Sequence, residues 1–277
     1  MTGVDAGAGS VPDVAELTRV VALDGPAGSG KSTVARRTAQ ALGWRFVDTG
    51  ATYRAITLHV LRAGVPLDDG GAVTHAAAEA RLVVDVDPWS SRVELDGEEV
   101  SAEIRGPEVT AAVSAVSAVP GVRRHLVALQ RRLMGTEGAV VEGRDIATVV
   151  APLAAVKVYL DAREEVRAQR RAGDRHVGVA SPASARAETA AGSDEAAHPI
   201  PPTTMATAEP QAGSADVLQV VQDDIRRRDA LDNQTNRLQV SEGAIHLDTS
   251  DLTLDEVVAA VVALAGAAGL TEDRGNR

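Results

Sequence analysis

One stretch constrains this chain more than any other: Gly25-Pro26-Ala27-Gly28-Ser29-Gly30-Lys31-Ser32, followed by Thr33. It fits the pattern G-x-x-x-x-G-K-[ST], and it lies where that pattern has physical meaning. Before it, Arg19-Val20-Val21-Ala22-Leu23 is a short apolar run that ends in Asp24, a buried strand meeting a turn. After it, residues 31–42 place Val34, Thr38, Ala41 and Leu42 on one side of a helix that Gly43 ends. Glycines in such a loop let backbone N–H groups converge on phosphate oxygens, and the positive end of the helix dipole favours an anion. The pattern implies a nucleoside triphosphate site formed by residues 25–33. Lys31 is expected to reach the β- and γ-phosphates and the Ser32 hydroxyl to ligate Mg²⁺. Of the 28 basic residues only Lys31 and Lys157 are lysine. A lysine kept at position 31 therefore points to a need for a compact ammonium.

The rest of the chain alternates strand and helix patterns. Strands are predicted at 44–47, 139–142, 156–160 and 244–247. A hairpin is predicted from 82–86 and 92–95 around Asp87-Pro88-Trp89-Ser90-Ser91. Helices are predicted at 51–63, 107–117, 121–134, 162–171, 215–230 and 253–265. Short apolar strands alternating with helices predict an α/β fold with a parallel sheet covered on both faces. Residues 1–18 are small and polar and are expected to form a disordered tail. Residues 172–215 hold 13 Ala and 5 Pro but only Val177, Val179, Ile200 and Met205 as larger apolar side chains. That stretch cannot bury enough surface to offset chain ordering and is expected to be a mobile insertion. It is not read as a domain boundary, because the piece that follows is too short to fold alone.

Composition narrows the function. At 277 residues and 44% hydrophobic, the chain can build a substantial core. No apolar run reaches the roughly 18–20 residues that span a bilayer. The first 18 residues have neither the basic start nor the apolar segment of an export signal. With no cysteine as well, a cytoplasmic location is expected. A net charge of −11 and five aromatic residues argue against polymeric nucleic acid as a partner, and no membrane partner is expected.

The loop alone leaves a switch GTPase, a motor ATPase and a small-acceptor kinase open. The N-K-x-D motif of switch GTPases is absent. The nearest matches to an apolar strand ending in a metal-site acid, Val140-Val141-Glu142 and Val158-Tyr159-Leu160-Asp161, are unpersuasive. Two arginine-bearing turns follow strands: Asp48-Thr49-Gly50-Ala51-Thr52-Tyr53-Arg54 and Glu142-Gly143-Arg144-Asp145. Strand ends face the ligand crevice in a doubly wound sheet, and guanidinium groups match an acceptor that itself carries a phosphate.

With those turns the chain resembles the bacterial cytidylate kinases, nucleoside monophosphate kinases. The resemblance rests on residues 23–33 and 48–54, on Gly97-Glu98-Glu99-Val100-Ser101-Ala102-Glu103-Ile104-Arg105, on residues 142–150, and on Arg228-Asp229-Ala230-Leu231-Asp232. It covers about residues 19–171 and 216–268. It implies a P-loop kinase domain over 19–268, an acceptor-binding insertion at about 65–135, a lid containing 172–215, and a tail at 269–277. The implied reaction transfers the γ-phosphoryl group of MgATP to CMP or dCMP, in a monomer. By position, Arg54 and Arg144 would grip the acceptor phosphate beside Asp48 and Thr49. Ser114, Arg123 and Asp145 would read cytosine, and Asp232 would hold the ribose. Lys31 and Arg144 would neutralise the moving phosphoryl group, with Arg167, Arg170 and Arg171 arriving from the lid. The chain departs from the family in its long lid and at Thr235, where the family has a phosphate-binding Arg. Arg237 is the substitute expected there. Kinases of UMP, shikimate or dephospho-coenzyme A, and a nucleotide-dependent switch or interaction module, are the competing readings.

Overall fold

The computed structural model describes residues 3–5, 10–177, 214–234 and 240–271. The N-terminal residues 10–18, expected to be a tail, are ordered by local chemistry. Asp13 caps a single 3-10 turn at Val14–Glu16, Glu16 returns the bond to the Asp13 N–H, and the following Leu17 is fully buried. Strand β1, Gly3–Asp5, pairs antiparallel with 83–85 further along the chain.

The predicted strand–loop–helix follows. Strand β2 is Val20–Asp24, buried along its whole length, and helix α1 is Lys31–Leu42 with Gly43 as its left-handed cap. Strand β3, Arg45–Asp48, leads into helix α2, Thr49–Arg62. Helix α2 starts two residues earlier than the periodicity indicates, because Asp48 accepts from the Ala51 N–H and caps it. Helix α3, Gly70–Glu79, is not among the predicted elements; its Ala-rich face hides the apolar period, yet Asp69 caps it and Val73, Ala76 and Ala77 are buried. The hairpin appears as β4, Leu82–Asp85, and β5, Val93–Leu95, and a short β6, Glu98–Glu99, adds to its edge. Helices α4, Pro107–Ala118, and α5, Pro120–Met134, each open on a proline, which suits a first turn where the N–H has no intrahelical partner. Strands β7, Ala139–Gly143, and β8, Val156–Asp161, flank a five-residue π turn at Ile146–Val150.

Helix α6 is Glu164–Val177 and helix α7 is Ser214–Gln234. Helix α6 runs six residues past its expected end at 171, and Ala172 in that extension packs against Ala27, Ala168, Val221 and Ile225. The rest of the expected insertion, 178–213, lies outside the described residues, as do Thr235 and Arg237. Strand β9, Ile245–Asp248, and helix α8, Leu254–Ala267, complete the chain.

Five strands form one parallel sheet in the order β3-β7-β2-β8-β9. Alternation along β2 separates its two faces. Val21 and Leu23 pack with Val34, Ala39 and Leu42 of α1 and Val257 and Val261 of α8, whereas Val20 and Ala22 face the core shared with α2 and α5. A third, small cluster joins Ala27 of the Gly-rich loop to Ala168 of α6 and to Val221 and Ile225 of α7. Among the described residues no helix is long and apolar enough to cross a membrane.

Candidate active site

The C-terminal ends of β2, β3 and β7 bring the sequence-predicted residues together. At β2 the loop turns sharply. A Cβ on Gly25, at φ +149°, would lie 2.0 Å from the Leu160 carbonyl oxygen, and one on Gly28, at φ +77°, 2.6 Å from the carbonyl oxygen of Arg167. Only glycine fits either place. Lys31 is buried, its Nζ donates to the Pro26 carbonyl at 2.7 Å, and Ser29 Oγ lies 3.5 Å away. Burial and then the nearby Arg144 lower its pKa to about 7, against the opposing charges of Glu142 and Asp24.

Ser32 Oγ donates to Glu142 Oε1 at 2.7 Å. Glu142 thus stands beside the loop serine, although its sequence context left it unpersuasive as a metal-site acid. It is the penultimate residue of the strand next to β2, a neighbour relation that periodicity cannot supply. Burial, then the charge of Asp48, pushes its carboxyl up to about 7. Asp48 and Glu142 are register partners across β3 and β7, so each carboxyl lies in the field of the other. Burial opposes the charge on Asp48, yet Arg54 and Arg105, each 3.7 Å from the same carboxylate oxygen, hold its carboxyl below the ordinary range. In this pair the two arginines favour the charge on Asp48, whereas burial favours the proton on Glu142. Thr49 Oγ1 donates to the Glu142 carbonyl at 2.8 Å, locking the start of α2 onto β7.

The turn after β7 carries Arg144 and Asp145. Arg144 donates to the Gly25 carbonyl at 3.0 Å and lies 3.4 Å from Asp232 and 3.8 Å from Asp229, so one guanidinium joins the loop to α7. Asp145 is buried and accepts from Arg123 at the start of α5. Ser114 is half-buried in the middle of α4, and its carbonyl accepts from Ser117 Oγ. From α6, Arg167 donates to the Ala27 carbonyl at 3.0 Å and to Asp229 at 2.5 Å, and Arg170 donates to the Ser29 carbonyl at 3.3 Å. The two cations holding the loop are therefore spaced three apart. Arg171, predicted to share a face with Arg167, is half-buried further along α6.

Residue by residue, sequence reasoning overlooks three groups. Asp229 accepts the Ala27 N–H at 3.2 Å and binds Arg167; it stands inside a quoted motif but reads there as a solvated helix acid. Arg105 reads as an ordinary surface cation until the fold brings it to Asp48. Asp24 lies in the loop motif, but its partners, the Ile146 and Ala147 amides at 2.8 Å, are more than a hundred residues away.

A family model described as cytidylate kinase matches residues 21–188 and 206–267. A cytidylate kinase of Mycolicibacterium paratuberculosis is 46% identical over 242 residues, spanning 86% of this chain and 91% of its own length. One of Nocardia farcinica is also 46% identical, over 86% and 90%, and one of Caldanaerobacter subterraneus is 39% identical, over 87% and 92%. The chain belongs to the cytidylate kinase family. It is accordingly an enzyme, a nucleoside monophosphate kinase that phosphorylates CMP, as the sequence resemblance implied. The cytidylate kinase framework also accounts for the placement of the motifs, since the loop, the two arginine-bearing turns and α7 all meet at one end of the parallel sheet.

Proposed function

We propose that this cytidylate kinase takes the γ-phosphoryl group from MgATP, accepts dCMP as well as CMP, and reads cytosine through Asp145. The observation that carries the reading is the Arg144–Gly25 hydrogen bond, which sets the acceptor turn directly against the triphosphate loop. The residues suit the groups they would hold. The loop at 25–33 is a cradle that a Cβ on Gly25 or Gly28 would fill. Ser32 and Glu142 offer paired oxygen ligands of the kind Mg²⁺ takes. Bound there, Mg²⁺ would neutralise and align the phosphates. In-line transfer requires little covalent chemistry of the protein, so the chain's task is positioning and charge stabilisation.

Lys31 and Arg144 face the donor and the junction between donor and acceptor. Arg54, with Thr49 beside it, is placed for the acceptor phosphate, and Asp232 for the ribose. Arg123 and Asp145 form the base-reading pair, with Ser114 as the further base contact. A carboxylate at 145 accepts from the cytosine amino group, whereas uracil would set a carbonyl against it and leave both unpaired. Arg167 is engaged with Ala27 and Asp229, so its share in the transfer, like that of Arg171, requires α6 to move. A coupled ADP-release assay with CMP, dCMP, UMP, shikimate, dephospho-coenzyme A and no acceptor tests the reading. CMP and dCMP should stand well above the rest; rates no better than without acceptor overturn it. Lys31→Ala should cut turnover by orders of magnitude while the fold survives.

A further inference from the structure

The short turn at Ile146–Val150 begins at Asp145, whose carbonyl accepts from the Val149 N–H at 2.9 Å. An Asp in that position ordinarily folds its own carboxylate back onto the first free N–H groups of the turn. Here it makes no such bond. The amides of Ile146 and Ala147 are instead taken by Asp24, one to each carboxylate oxygen, both at 2.8 Å. Asp24 comes from the end of β2, on the other side of a parallel strand pair, and is 4% exposed. Two consequences follow. The Ile146 and Ala147 amides are already satisfied, and a second carboxylate at the same place repels Asp145. Asp145 is left to Arg123.

We propose that Asp24 is a positioning residue for base selection: by capping the 146–150 turn in place of Asp145, it frees the Asp145 carboxylate for Arg123 and the cytosine edge. This rests on the reading that Asp145 recognises cytosine, and the experiment separates the two. The ratio of kcat/KM for CMP over UMP is measured for the wild type, Asp24→Asn, Asp145→Ala and the double variant, together with Kd for an inert triphosphate analogue. Asp24→Asn should lower the ratio about tenfold, chiefly through KM for CMP, and change the analogue Kd by less than about threefold. In the Asp145→Ala background, Asp24→Asn should change the ratio less than about twofold, because the group it positions is gone. If Asp145→Ala lowers the ratio and Asp24→Asn does not, the positioning role is wrong; if Asp145→Ala leaves the ratio intact, the base-reading assignment itself fails. Amide hydrogen exchange supplies a readout that does not depend on the Asp24 variant. The 146 and 147 amides should be equally protected in wild type and Asp145→Ala, and faster exchange in Asp145→Ala would make Asp145 the cap and overturn the proposal.

Discussion

Asp24→Asn also makes a quantitative stability prediction. Burial raises the Asp24 pKa from 3.8 to about 6, even though the amides of Ala147 and Ile146 favour its charged form. Because the folded value is raised, the contribution to stability is greatest below pH 3.8 and is lost as pH climbs through about 6. At about 1.4 kcal/mol for each step of pKa, the loss between those limits is about 3 kcal/mol. Asparagine does not titrate, so the variant lacks this term. It carries instead a pH-independent penalty of about 1–3 kcal/mol, because its amide –NH₂ must face one of the two backbone N–H groups. The stability difference between variant and wild type should therefore move about 2 kcal/mol in the variant's favour from pH 4 to pH 7, with most of the change below pH 6. Urea unfolding at each pH, followed through the fluorescence of buried Trp44, measures it. A difference that stays constant across that range would refute the argument that Asp24 bears its charge at a burial cost.

Three further perturbations address the site. Arg54→Ala should raise KM for CMP about 10- to 100-fold with a smaller effect on kcat, the worth of a charge-assisted bond to phosphate, and a KM within twofold of wild type would remove Arg54 from the acceptor site. Gly28→Ala places a Cβ 2.6 Å from the Arg167 carbonyl at φ +77° and should cost about 1–2 kcal/mol in backbone strain alone. It should also weaken triphosphate binding, and unchanged melting and Kd would mean that α6 is not seated on the loop. Glu142→Gln keeps the shape of the Ser32 contact but removes the acid. About tenfold more Mg²⁺ should then be needed for tight binding of the triphosphate analogue in a fluorescence titration, and an unshifted Mg²⁺ midpoint would show that Glu142 plays no part in holding the metal.

The sheet was legible because its strands are nearly continuous apolar runs and its loop has a fixed relation of strand, glycines and lysine. The helices with strong period or a cap next to a strand were legible too. Helix α3 was not, because alanine is apolar without being conspicuous. The 146–150 turn was not, because its order comes from Asp24, 122 residues away, through the bond to the Ile146 amide. The order of residues 10–18 was not legible for the opposite reason. Asp13 and Glu16 form a capping box visible in the sequence, but low apolar content outweighed it, although a single Leu17 suffices to anchor so short a segment. Among the candidate site residues, Lys31, Ser32, Arg54 and Arg144 stand in local motifs that spacing makes visible, whereas the candidacy of Asp145 came from the resemblance to the family. Asp229, Arg105 and Asp24 act through long-range pairings that spacing does not encode.

The divided carboxylate of Asp229 has a mechanical consequence. One oxygen holds the Ala27 amide and the other holds Arg167, while Asp232 lies one helical turn further along α7, beside Arg144. On the proposed assignment of Asp232 to the acceptor, helix α7 couples the two sites, because a pull on Asp232 is carried to the Gly-rich loop through Asp229. Thermodynamic reciprocity makes that pull mutual, so the factor by which CMP tightens the triphosphate must equal the factor by which the triphosphate tightens CMP.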